Sequence, residues 1–178
     1  MRMMHVLAAL AAFYFPHAAV LAEEAAPRVE QDAGPVERGP VTGLPMPRFV
    51  SMKAPEGFAR RGPSSTHRID WVFKRRHMPL LVTDEYGHWR RVQDREGTGG
   101  WMHYSLLSGN RTVIVEADDL HLRRRPRPDA PVSARLQAGV VAWLGECEAG
   151  WCALEVDGAE GWAATTALWG VAPDELRE

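Results

Sequence analysis

Trp89-Arg90-Arg91-Val92 with Gly100-Trp101, and Trp151-Cys152-Ala153-Leu154 with Gly161-Trp162, are one pattern written twice in this chain of 178 residues. The offset hardly drifts: Arg60 and Pro63 stand 63 residues before Arg123 and Pro126, Trp89 stands 62 before Trp151, and Trp101 stands 61 before Trp162. Two single-residue gaps align the copies. A repeat of about sixty residues means two like supersecondary units rather than one enzyme-sized domain. Each unit is close to the lower size limit for a self-supporting core.

Within each copy, short runs of β-branched, aromatic and leucine residues are broken by Gly, Pro and Asp, which predicts many short strands and an all-β fold. The first copy offers Phe49–Lys53, Gly57–Arg61, Asp70–Phe73, Leu80–Asp84, Trp89–Gln93 and Gly99–His103. The second offers Thr112–Glu116, Leu120–Arg124, Ala134–Leu136, Val140–Cys147, Trp151–Val156 and Glu160–Ala163. Five or six strands in so few residues protect their edges only by curling into a small closed or half-open barrel. Tyr104–Leu107 and Thr165–Leu168 are expected to be short 3₁₀ turns, each ending in a Leu that plugs its barrel. Residues three apart on a strand face opposite sides, so if Val92 and Leu154 point inward, Trp89 and Trp151 point outward. An outward Trp beside Tyr86 or an arginine pair makes an amphipathic shelf for a peptide or a sugar, or a surface that the second barrel covers. Trp101 and Trp162 are expected at the core or the barrel rim.

Residues 1–22 read as an export signal: Arg2 leads into the apolar run Val6–Phe15, and small or apolar residues precede Glu23, so cleavage is expected after Ala22. Pro16 and His17 interrupt a segment that would need about 20 apolar residues to span a bilayer, and no stable membrane span is expected once the signal is removed. Residues 23–46, rich in Glu, Pro, Gly and Ala, read as a flexible tether. Residues 47–108 and 109–171 are then the two domains, and 172–178 a tail. The formal net charge is −2, and without Arg2, the only charge in the leader, 20 basic residues face 23 acidic ones. That balance points away from nucleic acid as a partner. The run Arg123-Arg124-Arg125-Pro126-Arg127 is read as part solvated strand face and part loop, with an anionic partner as the alternative.

Catalysis finds no support. A cysteine nucleophile needs a histidine within hydrogen-bond reach, and cell-wall cysteine peptidases place the nucleophile before that histidine in the chain, whereas here the last histidine, His121, precedes both Cys147 and Cys152; no Gly-x-Ser-x-Gly elbow is present. His67, His77, His88, His103 and His121 fall in no metal-binding spacing, so neither metal nor cofactor is expected. His88 and His103 do flank the aromatic strands. Cys147 and Cys152 sit on either side of Glu148-Ala149-Gly150, facing each other across a hairpin, and a disulfide is the expected state. Free thiols and a metal or redox pair are the alternatives.

Phe58-Ala59-Arg60-Arg61-Gly62-Pro63, then Trp89-Arg90-Arg91-Val92, then Gly100-Trp101 resembles the bacterial SH3-like domain pattern. In that pattern an extended V-N-V-R-x-G-P strand precedes W-x-x-V and a closing G-W strand. Leu120-His121-Leu122-Arg123-Arg124-Arg125-Pro126, Trp151-Cys152-Ala153-Leu154 and Gly161-Trp162 repeat it. The departures are Arg125 where the family has Gly, and Phe58 and His121 where it has Asn. The resemblance spans about Arg48 to Gly170 and implies two tandem SH3-like barrels in an exported protein without an attached hydrolase. It implies a non-catalytic binding module in the periplasm or outside the cell, with a peptidoglycan stem peptide or another cell-envelope component as ligand. A periplasmic adaptor that recognises an envelope protein is the alternative. The ligand is expected in a shallow groove between the first loop and the turn before each hairpin Trp, with Arg60, Arg61, Tyr86, Trp89, Arg123 and Trp151 as contacts.

Overall fold

The computed structural model describes residues 37–177. The predicted signal at 1–22 and the tether up to residue 36 lie outside the described residues. Strands β1 (Arg48–Met52), β2 (Gly57–Arg60), β3 (Ile69–Phe73), β4 (Pro79–Tyr86), β5 (Trp89–Gln93), β6 (Gly99–His103) and β7 (Leu107–Ser108) form one sheet. A second follows with β8 (Thr112–Val115), β9 (Leu120–Arg123), β10 (Val132–Leu136), β11 (Val141–Glu148), β12 (Trp151–Val156), β13 (Ala159–Ala164) and β14 (Leu168–Trp169). The first sheet runs β3-β2-β6-β5-β4-β1-β7, and the second repeats that order as β10-β9-β13-β12-β11-β8-β14. The tandem all-β architecture expected from the repeat is therefore what the chain builds. The short strands β7 and β14, which follow 3₁₀ turns at Tyr104–Leu106 and Thr165–Ala167, add one strand to each copy beyond those the residue runs predict.

Every strand from β1 to β6 sends a side chain into one cluster: Met52, Ala59, Phe73, Leu80, Val82, Val92 and Met102. A sheet whose successive strands share one interior must bend around it, giving a half-open barrel. The second barrel closes on Val113, Val115, Leu122, Leu144, Leu154 and Leu168 in the same way.

Only residues 109–111 join the barrels, and the contact between them is specific. The Thr112 hydroxyl donates to the His77 carbonyl at 2.6 Å, so its oxygen accepts from the Ser51 hydroxyl at 2.7 Å. Ser51 and Thr112 are both buried. Phe49 meets Trp169 edge-on at 5.3 Å, His77 packs on Trp143 at 4.5 Å, and Arg75 donates to the Gly139 carbonyl at 2.9 Å. His77 holds a left-handed φ of 64° where the second copy has Gly139 at 83°. Its ring contact and its accepting carbonyl offset the strain a side chain carries there.

The two hairpins differ at one buried cross-strand pair. In the first barrel Glu85 faces Arg90, and at the same place in the second Cys147 faces Cys152. The cysteines form a disulfide of 2.04 Å, as their hairpin spacing predicts. Each pair also anchors a chain end. Residues 37–46, which composition assigns to the tether, form a hairpin that closes through Gly39 N–H to the Leu44 carbonyl and Met46 N–H to the Glu37 carbonyl. The reason is Glu85: its carboxylate accepts from the amides of Val41 and Thr42 at 3.1 and 2.9 Å, from the Thr42 hydroxyl at 2.7 Å and from Arg48 at 2.6 Å. Burial alone would raise the pKa of Glu85. The Thr42 hydroxyl and amide, Arg48 and the Val41 amide outweigh that and hold it at about 2, against an ordinary 4.5. At the other end Arg177 and Cys147 exchange two backbone hydrogen bonds of 2.8 and 3.1 Å, and Glu175 pairs with Arg111 at 3.1 Å. At least through Arg177, the tail is thus docked.

Candidate binding face

Residues directly opposite in an antiparallel ladder share a face. Three rows of outward side chains therefore cross each barrel. In the first they are Tyr86, Trp89 and His103; then Arg91, Trp101 and Arg60; then Leu81, Gln93 and Gly99. In the second they are Glu148, Trp151 and Ala164; then Ala153, Trp162 and Arg123; then Trp143, Glu155 and Glu160. Val92 and Leu154 are buried while Trp89 and Trp151 are half-buried on the outer face, since the bulges lie on the partner strands β4 and β11. Trp101 and Trp162, expected in the core or at the rim, are half-buried members of the same outer face.

The first row is aromatic in the first barrel. Trp89 meets the His103 ring at 5.5 Å, His103 meets Tyr104 at 5.0 Å, and His88 lies 5.6 Å from Tyr104. Tyr86 beside them is 65% exposed. In the second barrel Glu148 and Ala164 flank Trp151, and the shelf has no counterpart. The aromatic contacts between barrels are made by Phe49, Trp169, His77 and Trp143, so the interface is built from other rings than Trp89 and Trp151.

The second row contributes to a groove in each barrel, joined by Gly99 alone of the third row in the first barrel and by Trp143, Glu155 and Glu160 in the second. The close approach of β6 to β2, and of β13 to β9, depends on the glycine before each tryptophan. A Cβ on Gly100 would lie 2.6 Å from the Arg60 carbonyl, and one on Gly161 would lie 2.9 Å from the Arg123 carbonyl. The first groove holds about 330 Å³ and the second about 610 Å³. Three replacements at matched positions explain the difference. Ala153 stands where Arg91 covers the floor beside Trp101, Gly145 stands where Thr83 occupies the bulge, and Trp143 replaces Leu81 as a taller wall. In the first barrel the Asp70 carboxylate also reaches Arg68 at 2.6 Å and Arg61 at 3.2 Å, and the Arg68 hydrogen bond leads in holding its pKa below the ordinary value. Ser133 takes the place of Asp70, and its hydroxyl donates to the Glu160 carbonyl at 2.8 Å.

The grooves carry opposite charge. Arg60, Arg61 and Arg91 surround the first against Asp70, whereas Glu146, Glu155 and Glu160 surround the second against Arg124. Of the residues expected to touch a ligand, Arg60 and Arg61 line the first groove. Arg123 lies beside Trp162 but gives its guanidinium to the Ala130 carbonyl at 3.0 Å, and Arg124 lines the second groove instead. Tyr86, Trp89 and Trp151 stand one row away from the grooves. Trp143, Trp162 and Ser133 are groove residues that spacing alone did not single out. Comparing the copies position by position, outward residues first, is the signal that finds them.

Two half-open barrels of like topology, each with the same glycine-tryptophan strand, define a tandem small-barrel protein. A model of the bacterial SH3 domain matches residues 53–109 and again 116–170, and the chain belongs to that family. Among solved structures, NlpC2 from Trichomonas vaginalis is 11% identical, with 69% of this chain and 48% of that chain covered and a TM-score of 0.33. NlpC1 from the same organism is 11% identical over 76% of this chain and 51% of that one, with a TM-score of 0.32. The chain thus spans about half the length of these two proteins. Comparison with curated proteins gives no match. The disulfide fits an oxidising compartment, and among the described residues no helix is long and apolar enough to cross a membrane.

Proposed function

We propose that the protein is a non-catalytic binding module, exported to the periplasm or beyond, that holds a cell-envelope component such as a peptidoglycan peptide on the outer face of its second barrel. The observation that carries this reading is the groove opened by Ala153 and Gly145 between Trp143 and Trp162. Within one chain the same fold keeps a narrow, arginine-covered version and a widened, tryptophan-walled one, and widening a surface at no gain to the core fits binding. Both cysteines are held in the disulfide, which removes the only thiols from nucleophilic use. The first groove, with Arg60 and Arg61, offers a weaker second point of attachment to carboxylates.

Sedimentation of residues 23–178 with purified peptidoglycan sacculi tests the proposal. Retention is expected for the parent chain and a fall of ~10-fold for Trp162→Ala and for Ala153→Arg, which imports the first barrel's own residue into the groove. A parent chain that stays in the supernatant at low and high salt overturns the envelope reading. The adaptor reading has its own support in the outward aromatic row, in which half-buried Trp89 and His103 stand beside exposed Tyr86 and Tyr104, since aromatic residues are enriched where proteins meet. Under that reading Trp89→Ala abolishes capture of an envelope protein while Trp162→Ala does not.

A further inference from the structure

The third outward row changes character between the copies more than any other part of the face. Leu81, Gln93 and Gly99 are neutral, whereas Trp143, Glu155 and Glu160 bring an aromatic wall and two carboxylates to the same place. Glu155 and Glu160 are direct cross-strand partners, and like charges facing each other destabilise a sheet. Glu146 on the adjoining bulge adds a third negative charge to the groove lining. No ion pair joins any of the three to a basic side chain among the described residues. A local conflict of this kind is retained where a site uses it.

The occupant that relieves the conflict is a cation, and the walls say which kind. A divalent metal needs a converging set of oxygen ligands, and no group of three metal-ligating side chains comes together among the described residues. Trp143 is 38% exposed, and Trp162 stands in the neighbouring row, so indole rings stand beside the carboxylates. Carboxylate together with indole is the environment that selects an organic ammonium, through charge and through attraction to the ring face. We propose that the second groove takes a primary ammonium group carried on a peptide, as a lysine or another diamino acid presents it, with Glu155 and Glu160 as counter-charges and Trp143 as the wall. The proposal rests on the second barrel's outer face being the binding face, and it names the ligand's chemistry there. The first groove, rich in arginine, rejects the same group.

The test titrates acetyl-Gly-Lys-Gly amide into residues 23–178 and follows the indole N–H resonances of Trp143, Trp162 and Trp101 by NMR. Trp143 and Trp162 are expected to shift and Trp101 to stay. Affinity is expected to drop by ~10-fold for the Nε-acetylated peptide and for the Glu155→Gln, Glu160→Gln double variant, which removes repulsion and so keeps its fold. Equal shifts with the acetylated peptide, shifts at Trp101, or no shift in any indole would each overturn the inference. Sacculi with acetylated amines separate it from the broader reading. Undiminished retention on them refutes the ammonium and leaves envelope binding standing. Peptide binding without sacculus retention does the reverse.

Discussion

Replacing Glu85 by Gln keeps the side chain's shape and removes the charge that Thr42, Val41, Arg48 and Arg90 surround. The carboxyl sits at about 2 in the folded chain against 4.5 ordinarily, and at 1.36 kcal/mol per unit this is worth about 3 kcal/mol near neutrality. Because the folded value is the lower one, the contribution is complete above about pH 4.5 and drains away as the pH falls towards 2. Breaking a buried pairing such as that with Arg48 and Arg90 costs ~3–5 kcal/mol, which is the same interaction seen from the arginine side, so the loss at neutrality and the acid slope are two readouts of one clamp. Urea unfolding of the first barrel, followed at pH 7 and at steps down to pH 2, reads both effects. The variant is expected to be less stable by about 3 kcal/mol at pH 7 and to lack the parent's decline in acid. Hydrogen exchange at the Val41 and Thr42 amides should rise with it, since their bonds end on the altered group. A variant within about 0.5 kcal/mol of the parent at pH 7, or one with the parent's acid slope, refutes the clamp.

Two further substitutions probe the frame. Thr112→Val leaves the His77 carbonyl without its donor and the Ser51 hydroxyl without its acceptor, which should cost ~1–3 kcal/mol in thermal unfolding, with Thr112→Ser recovering most of it. Reducing the Cys147–Cys152 bridge should lower the second barrel's stability by only about 2 kcal/mol, because the loop it closes is very short, and the urea midpoint with and without reductant measures this.

The duplication is legible because tryptophans and glycines at sheet crossings tolerate little change, and two copies of such a pattern leave few folds open. Strands β5 and β6 carry the most constrained residues, and their predicted limits at Trp89–Gln93 and Gly99–His103 match the folded ones. What stays hidden depends on partners far along the chain. Glu85 looks like any surface acid until β4 is paired and the 37–46 hairpin arrives over it. The composition of 37–46, heavy in Pro and Gly, reads as loose chain because its ordering contacts are 40 residues and more away. Trp89 and Trp151 draw attention because they sit three places from a core residue, whereas the outward position of Trp101 and Trp162 follows only from the register across β5–β6 and β12–β13. The widened groove is invisible to spacing, since it arises from an Ala and a Gly that carry no chemistry of their own.

The buried hydroxyl relay from Ser51 through Thr112 to His77, with only three residues between the last strand of one barrel and the first of the next, has a metric consequence. Two modules on a slack cord sample many separations and gain strength by proximity alone. Two modules locked edge to edge act as a caliper. On the proposed reading they favour a target that presents a carboxylate to the first groove and an ammonium group to the second at the caliper's own opening, and lengthening residues 109–111 would trade that selectivity for reach.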